Sequence, residues 1–182
     1  MDWIWYVIIG LLLVFLIYVY NKFVRLKNQV ENAWAQIDVQ LKRRNDLIPN
    51  LIETVKGYAK HEKKVFNDVT KARSQVVNSN SPKEKAEASN ALQDTMKSLF
   101  AVAESYPDLK ANENFLQLQE EISGTENKIS YARQHYNDMV MRFNTSLQTF
   151  PANVLNKGFN FSEREMFDVP ESEKKNVKVS FD

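Results

Sequence analysis

Hydrophobic and polar positions follow one pattern before residue 21 of this chain and another after it. Residues 3–20, WIWYVIIGLLLVFLIYVY, form an apolar run without a charged residue or a proline. At about 1.5 Å per residue, a helix of this length covers roughly 27 Å, close to the hydrocarbon thickness of a bilayer. Trp3 and Trp5 lie at one edge and Tyr18 and Tyr20 at the other, where amphipathic rings favour the headgroup region. Residues 1–21 are therefore predicted to form an outside N-terminus and a transmembrane anchor.

The alternative for this run is a cleaved signal peptide. Such a peptide needs a basic segment, a shorter apolar stretch and a small-residue cleavage site. Here only Met1 and Asp2 precede the run, and no A-x-A-like site follows it, which favours an uncleaved anchor. Lys22, Arg25 and Lys27 follow the run closely, so the positive-inside rule predicts that the C-terminal domain is cytoplasmic.

After the run, apolar residues return at alternating spacings of three and four, the pattern of a helix that packs along one face. The phase continues past Pro49, so the pattern predicts one helix from the membrane to about residue 78, with a kink and not a break at that proline. The positions of this stripe are Trp34, Ile37, Leu41, Arg44, Ile48, Leu51, Val55, Tyr58, Glu62, Val65, Val69, Ala72 and Val76.

Two further helices are predicted. Ser81, Pro82 and Glu84 form an S-x-x-E capping box with proline at the first helical position, so a second helix is expected over residues 82–104. A seven-residue apolar repeat predicts a third helix over residues 112–149, which Pro151 ends.

The predicted fold is therefore all-α: a transmembrane helix that continues into an antiparallel bundle of long helices. The helical-bundle domain covers residues 22–150, and residues 151–182 form an irregular C-terminal tail. Val177, Val179 and Phe181 alternate with polar residues, which favours a short extended segment in that tail.

The predicted helices have unequal lengths, about 85 Å, about 35 Å and about 57 Å after the anchor. In an up-down-up bundle the second helix would return only to the level of Val55, which leaves part of the stripe without a partner in the same chain. An apolar surface of this size is not expected to stay in water. Either the tail or another chain must cover it, and we favour homo-oligomerisation. The uncovered members would be Trp34, Ile37, Leu41, Ile48 and Leu51.

The remaining composition excludes several function classes. Charge is nearly balanced, with 24 basic and 23 acidic residues, which argues against a nucleic-acid-binding protein. The chain has no phosphate-binding loop, dinucleotide fingerprint or nucleophile elbow. His61 begins H-E-K-K-V and not the H-E-x-x-H zinc motif, and His135 lies on another helix. No catalytic, cofactor-binding or metal site is predicted.

Arg44 and Glu62 are charged residues at core-type positions of the stripe. Burial of a charge is costly unless it is paired and hydrogen-bonded. One interpretation is that the bundle is open there and both side chains are exposed. The other is that they pair with groups on facing helices, such as Asp38, Asp46 or Glu53 for Arg44, and set the register or oligomeric state.

Two long segments and two short ones resemble the bacterial LemA family. They are AWAQIDVQLKRRNDLIPNLIETVKGYAKHE over residues 33–62, AESYPDLKANENFLQLQEEISGTENKISYARQHYN over residues 103–137, the Phe150-Pro151 pair and the closing VKVSFD. The resemblance implies one span and a helical-bundle domain in a bacterial inner membrane. It implies no activity. The residues that it marks as typical, with structural roles, are Trp34, Asp38, Arg44, Pro49, Asn50, Glu53, Arg133, Tyr136 and Asn137.

Three functions remain open, and all are non-enzymatic. The first hypothesis is a membrane-anchored helical scaffold that self-associates through its membrane-proximal, coiled-coil-like helix. The second is an adaptor for a membrane enzyme such as a metalloprotease, whose genes lie near those of some LemA relatives. The third, a signal-transmitting module with a kink at Pro49, requires two states. The expected partners are membrane lipid, further copies of the chain and another membrane protein. The residues proposed for interaction or register are Trp34, Ile37, Leu41, Arg44, Pro49 and Glu62.

Overall fold

The computed structural model of the protein describes residues 3–167, which form six helices and no strand. The predicted all-α class is confirmed, while the extended segment predicted around Val179 lies outside the described residues. The helices are α1 (Trp3–Tyr58), α2 (Lys63–Asn78), α3 (Pro82–Glu104), α4 (Pro107–Lys110), α5 (Glu113–Gln148) and α6 (Ala152–Phe159).

The chain divides into two compact units. The anchor unit contains residues 3–37 and 132–166 of the described chain, and the bundle unit contains residues 38–131 and 167. Helices α1 and α5 contribute residues to both units.

In the bundle unit, α1 does not continue to residue 78, so the prediction of one long helix with a kink at Pro49 was wrong. Pro49 lies inside α1, and the chain turns later, at residues 59–62, where the Glu62 N–H donates to the Ala59 carbonyl oxygen. Helix α2 then runs back along α1, because its Arg73 reaches the carbonyl oxygen of Asn45. The buried face of α2 keeps the apolar spacing of α1, which conceals the turn from the sequence pattern. Its members are Phe66, Val69, Ala72 and Val76.

The remaining helices of the bundle unit complete an up-down-up-down arrangement. Helix α3 runs parallel to α1, because Lys85 pairs with Asp38 and Ser89 accepts a hydrogen bond from Arg44. Helix α5 is antiparallel to α1, because Asn112 bonds to Tyr58 at one end and Glu126 to Arg44 further along. The helices share one apolar core, which includes Ile48, Leu51, Val55, Val69, Ala72, Val76, Leu92, Met96, Leu99, Leu109, Phe115 and Ile122.

This arrangement removes the mismatch in lengths. The residues predicted to form the first soluble helix form two antiparallel helices, the last part of α1 and α2. The start of α3 therefore lies at the level of Asp38, whereas the prediction had the second helix reach only the level of Val55. Ile37 and Leu41 are at most 1% exposed in the single chain, and Ile48 and Leu51 are fully buried. The expectation that this stripe lacks cover within one chain was therefore wrong.

In the anchor unit, the first part of α1 packs against the last part of α5. The rings of Trp34 and Tyr136 lie 5.4 Å apart between centroids. Helix α6 was not predicted, since the sequence pattern from Ala152 is irregular, and Asn160 ends it in the left-handed conformation. The segment that follows is held against α5 through Asn144, whose side chain donates to the Arg164 carbonyl and accepts from the Arg164 N–H, both at 2.9 Å.

Candidate interaction site

The most deeply buried charge of the bundle unit is Arg44 on α1. Its Nη1 donates to Glu126 Oε1 on α5 at 2.8 Å, and its Nη2 donates to Ser89 Oγ on α3 at 2.9 Å. The Arg44 side chain is fully buried, whereas that of Glu126 is 24% exposed. Arg44 therefore has partners on two facing helices, although the carboxylate is Glu126 and none of the three candidates on α1. A buried pair of this kind ties three helices to one register.

Pro49 acts on the same stretch of α1 through its missing N–H. In an α-helix the carbonyl of residue 45 would accept a hydrogen bond from the N–H of residue 49, which proline lacks. Arg73 Nε of α2 donates to the carbonyl oxygen of Asn45 at 2.8 Å instead. The proline thus creates an acceptor that α2 uses to dock on α1, and Pro49 has a packing role without interrupting the helix.

A cleft of about 320 Å³ opens beside this contact, between α1, α2 and the start of α3. Its apolar lining comes from Leu41, Val76 and Val77, and Val77 is 62% exposed. Its charged lining consists of Asp38, Lys42, Asp46, Arg73 and Lys85.

Two of the cations around the cleft already have partners in the bundle unit. Lys85 forms an ion pair with Asp38, and Arg73 Nε bonds to the Asn45 backbone. The side chain of Asn45 also lines the cleft, and it is only 6% exposed. Its Oδ1 has no hydrogen-bond partner among residues 3–167. A buried acceptor without a donor costs free energy, so Asn45 is an unsatisfied polar residue next to the apolar floor of the cleft.

Glu62 and Trp34 have roles that differ from that of Arg44. Glu62 is half-buried and occupies the N-cap position of α2 without a side-chain capping bond, so it lies at the turn and not in a core pair. Trp34 is half-buried in the anchor unit, against the ring of Tyr136. The Tyr136 hydroxyl donates to the Glu165 carbonyl oxygen at 2.9 Å.

Two titratable groups have pKa values displaced by their surroundings. The backbone N–H groups of Asn80 and Ser81 donate to the Glu84 carboxylate and lower its pKa. Burial raises the pKa of the Tyr136 phenol, and the nearby charge of Arg164 opposes that shift. Both groups stabilise local structure, and neither adjoins the cleft.

The aromatic residues predicted to bound the span, Trp3, Trp5, Tyr18 and Tyr20, all lie on α1 with exposed side chains. The first part of α1 is long and apolar enough to cross a membrane, and almost none of this stretch is buried within the chain. A core helix of a water-soluble protein would be mostly buried, so the exposure argues against that alternative.

Sequence reasoning identified Arg44 but missed its partners and the cleft. Ser89 and Glu126 lie on helices whose register with α1 no local pattern shows. The signal that was available is Pro49: a proline inside a predicted helix implies an unpaired carbonyl four residues earlier, and hence a donor from another helix.

Comparison with known proteins agrees with this architecture. The model of the LemA family matches residues 33–181. Protein LemA of Metamycoplasma hominis is 28% identical to this chain over 164 residues, which cover 88% of this chain and 74% of that protein.

Proposed function

This chain belongs to the LemA family, and from that premise we propose that it is a non-enzymatic, membrane-anchored adaptor that holds a partner protein beside the bilayer. The anchor is the apolar first part of α1, which is exposed along its length. The bilayer is the bacterial inner membrane. The bundle unit is cytoplasmic, with Lys22, Arg25 and Lys27 on the cytoplasmic side of the span.

The cleft of the bundle unit is the observation that carries the adaptor role. Among residues 3–167 Asn45 Oδ1 has no hydrogen-bond donor, and Val77 is an exposed apolar side chain that lines the same cleft. A partner side chain with an apolar stem that packs on Val77 and a donor at its end that reaches the rim fits this cleft. The exposed Asp46 carboxylate on the rim is the acceptor for that donor.

The scaffold that self-associates is the second candidate. An uncovered stripe from Trp34 to Leu51 does not support it, because Ile37 and Leu41 are buried within one chain. Self-association through other surfaces would give crosslinks between copies of the chain. Because the stripe is covered within one chain, the adaptor takes first place, with a membrane enzyme such as a metalloprotease as the class of partner.

A photo-crosslinking amino acid at Val77 tests the proposal in intact membranes, with the same group at the exposed Tyr131, outside the cleft, as the control. Two differently tagged copies of the chain are expressed together. The adaptor predicts one discrete adduct at Val77 with a protein other than the chain itself, and none at Tyr131. Adducts between the two tagged copies would favour the scaffold, and equal labelling at both positions would contradict a specific cleft.

A charge reversal tests the role of the rim. Asp46→Lys removes the rim acceptor for the partner's donor, so the adduct at Val77 is expected to fall sharply. Asp68→Lys is the matched control, since Asp68 is an exposed carboxylate of α2 outside the cleft. An adduct that both variants weaken equally would contradict recognition by the cleft.

A further inference from the structure

The end of the anchor unit that carries α6 lies beside the end of the apolar span. The ring of Phe159 is 5.3 Å from that of Tyr20 and 6.4 Å from that of Phe23, between centroids. Phe161 also contacts both rings, at 5.9 Å and 5.4 Å. Tyr20 is the last residue of the apolar run, so these contacts bring α6 to the level where the chain leaves the hydrocarbon layer.

The packing of α5 on α1 independently places Phe150 at the level of Tyr20. The two helices are antiparallel and meet at the Trp34–Tyr136 contact. Tyr20 lies 14 residues before Trp34, and Phe150 lies 14 residues after Tyr136. With a rise of about 1.5 Å per residue, both lie roughly 21 Å from that contact, in the same direction.

The surface at this level carries large apolar side chains that the chain does not cover. Phe150 is 78% exposed and Val154 is 57% exposed. Phe150 lies in the turn just before α6, and Val154 lies three residues before Lys157, so Val154 and Lys157 share one face of α6. On the opposite side of α6, the Asn156 side chain forms two hydrogen bonds with the backbone of Phe161, just after the helix.

We propose that α6 and the turn before it lie at the membrane interface, where Phe150 of the turn and Val154 of α6 insert among the lipid headgroups and Lys157 pairs with lipid phosphate. An apolar face with a basic side chain at its edge is the arrangement that binds a bilayer surface. Lys22 and Arg25 are exposed just after the span and add positive charge at the same end of the unit. The inference rests on the membrane anchoring proposed above and adds a second attachment to the bilayer.

This second attachment has a mechanical consequence. A single span leaves a helix free to tilt and rotate in the bilayer. Contacts of the bilayer with α6 would hold the last part of α5 and the first part of α1 at a fixed depth and orientation. The anchor unit would then bind the membrane by two adjacent points instead of one.

The natural absence of cysteine makes a depth measurement direct. Single cysteines replace Phe150, Val154, Tyr18 and Val77 in the full-length protein, and each is labelled with an environment-sensitive fluorophore. The protein is placed in nanodiscs of phosphatidylcholine and phosphatidylglycerol, with a headgroup-proximal quencher on the acyl chains. All four side chains are exposed in the chain, so the substitutions leave its core intact.

Labels at Phe150 and Val154 are expected to give blue-shifted emission and quenching comparable to those of the label at Tyr18. The label at Val77 is expected to give neither. Quenching at Tyr18 with none at Phe150 and Val154 would overturn the interfacial helix and leave the anchoring intact. Absence of quenching at Tyr18 would overturn both. Lys157→Glu is expected to reduce quenching at Val154 in nanodiscs that contain phosphatidylglycerol, and an unchanged signal would contradict the phosphate contact.

Discussion

Arg73 donates to the carbonyl oxygen of Asn45 the hydrogen bond that the helix itself does not provide. The Nε–O distance is 2.8 Å, and the missing intrahelical donor belongs to Pro49, four residues further along α1. This contact links the interior of α1 to α2, the helix that folds back along it. A proline that would weaken an isolated helix therefore contributes to the packing of the hairpin of α1 and α2.

Loss of this donor is expected to destabilise the bundle unit. Arg73→Ala leaves the Asn45 carbonyl without its partner and should lower the free energy of unfolding by about 1–3 kcal/mol. Chemical denaturation of the full-length protein in detergent micelles measures the change. In a Pro49→Ala background the backbone N–H at position 49 can satisfy the carbonyl, so Arg73→Ala should cost less there. Equal losses in both backgrounds would contradict this coupling.

The pair between Arg44 and Glu126 should respond more strongly to loss of one partner than to replacement of both. Glu126→Ala leaves a fully buried cation without its carboxylate, at an expected cost of about 3–5 kcal/mol. The double variant Arg44→Met, Glu126→Leu fills the site with apolar groups and should recover much of this loss. The same denaturation experiment compares them. A double variant less stable than Glu126→Ala alone would show that the ion pair itself is strongly stabilising.

The capping box at the start of α3 gives the protein a defined pH dependence. The folded-state pKa of Glu84 is lowered by the N–H groups of Asn80 and Ser81, so the stabilisation is present above the ordinary pKa of glutamate. It is lost as pH falls through the lowered value. Wild type should exceed Glu84→Gln in stability at neutral pH, and the difference should disappear in acid. A difference that is constant across this range would contradict the pKa shift as its cause.

The segment after α6 is expected to depend on Asn144. Its side chain accepts from the Arg164 N–H and donates to the Arg164 carbonyl oxygen. Asn144→Ala should remove the protection of the Arg164 amide against hydrogen exchange, measured by mass spectrometry. Asn144→Asp keeps the acceptor and should retain most of that protection. Loss of protection in both variants would indicate that the donor from Asn144, and not its acceptor, holds the segment.

Several features of the fold follow from local chemistry and were therefore predictable. Ser81 and Glu84 form the expected reciprocal cap, with Glu84 N 3.1 Å from Ser81 Oγ. Helix α3 has its predicted bounds, because both its cap and its end depend on neighbouring residues. The apolar run at the start of α1 is long enough to cross a membrane by composition alone.

Other features depend on which helices meet, and these were missed. The turn at residues 59–62 leaves the spacing of the apolar repeat unchanged and breaks it only at Glu62, so the spacing of the repeat did not reveal the turn. Since that turn folds the predicted first helix in two, the cover of Leu41 within one chain was misjudged. Helix α6 was missed because eight residues are too few for a periodic pattern to stand out.

The all-α class, the apolar run, the cap of α3 and the presence of a charge at a core position could be predicted, because each depends on residues close together along the chain. The partners of Arg44, the use of the Asn45 carbonyl by Arg73, the cleft beside them and the exposure of Phe150 next to the span depend on how the helices pack. The reason is physical: hydrogen bonds and burial between helices depend on register and direction, which arise from the packing of the whole chain.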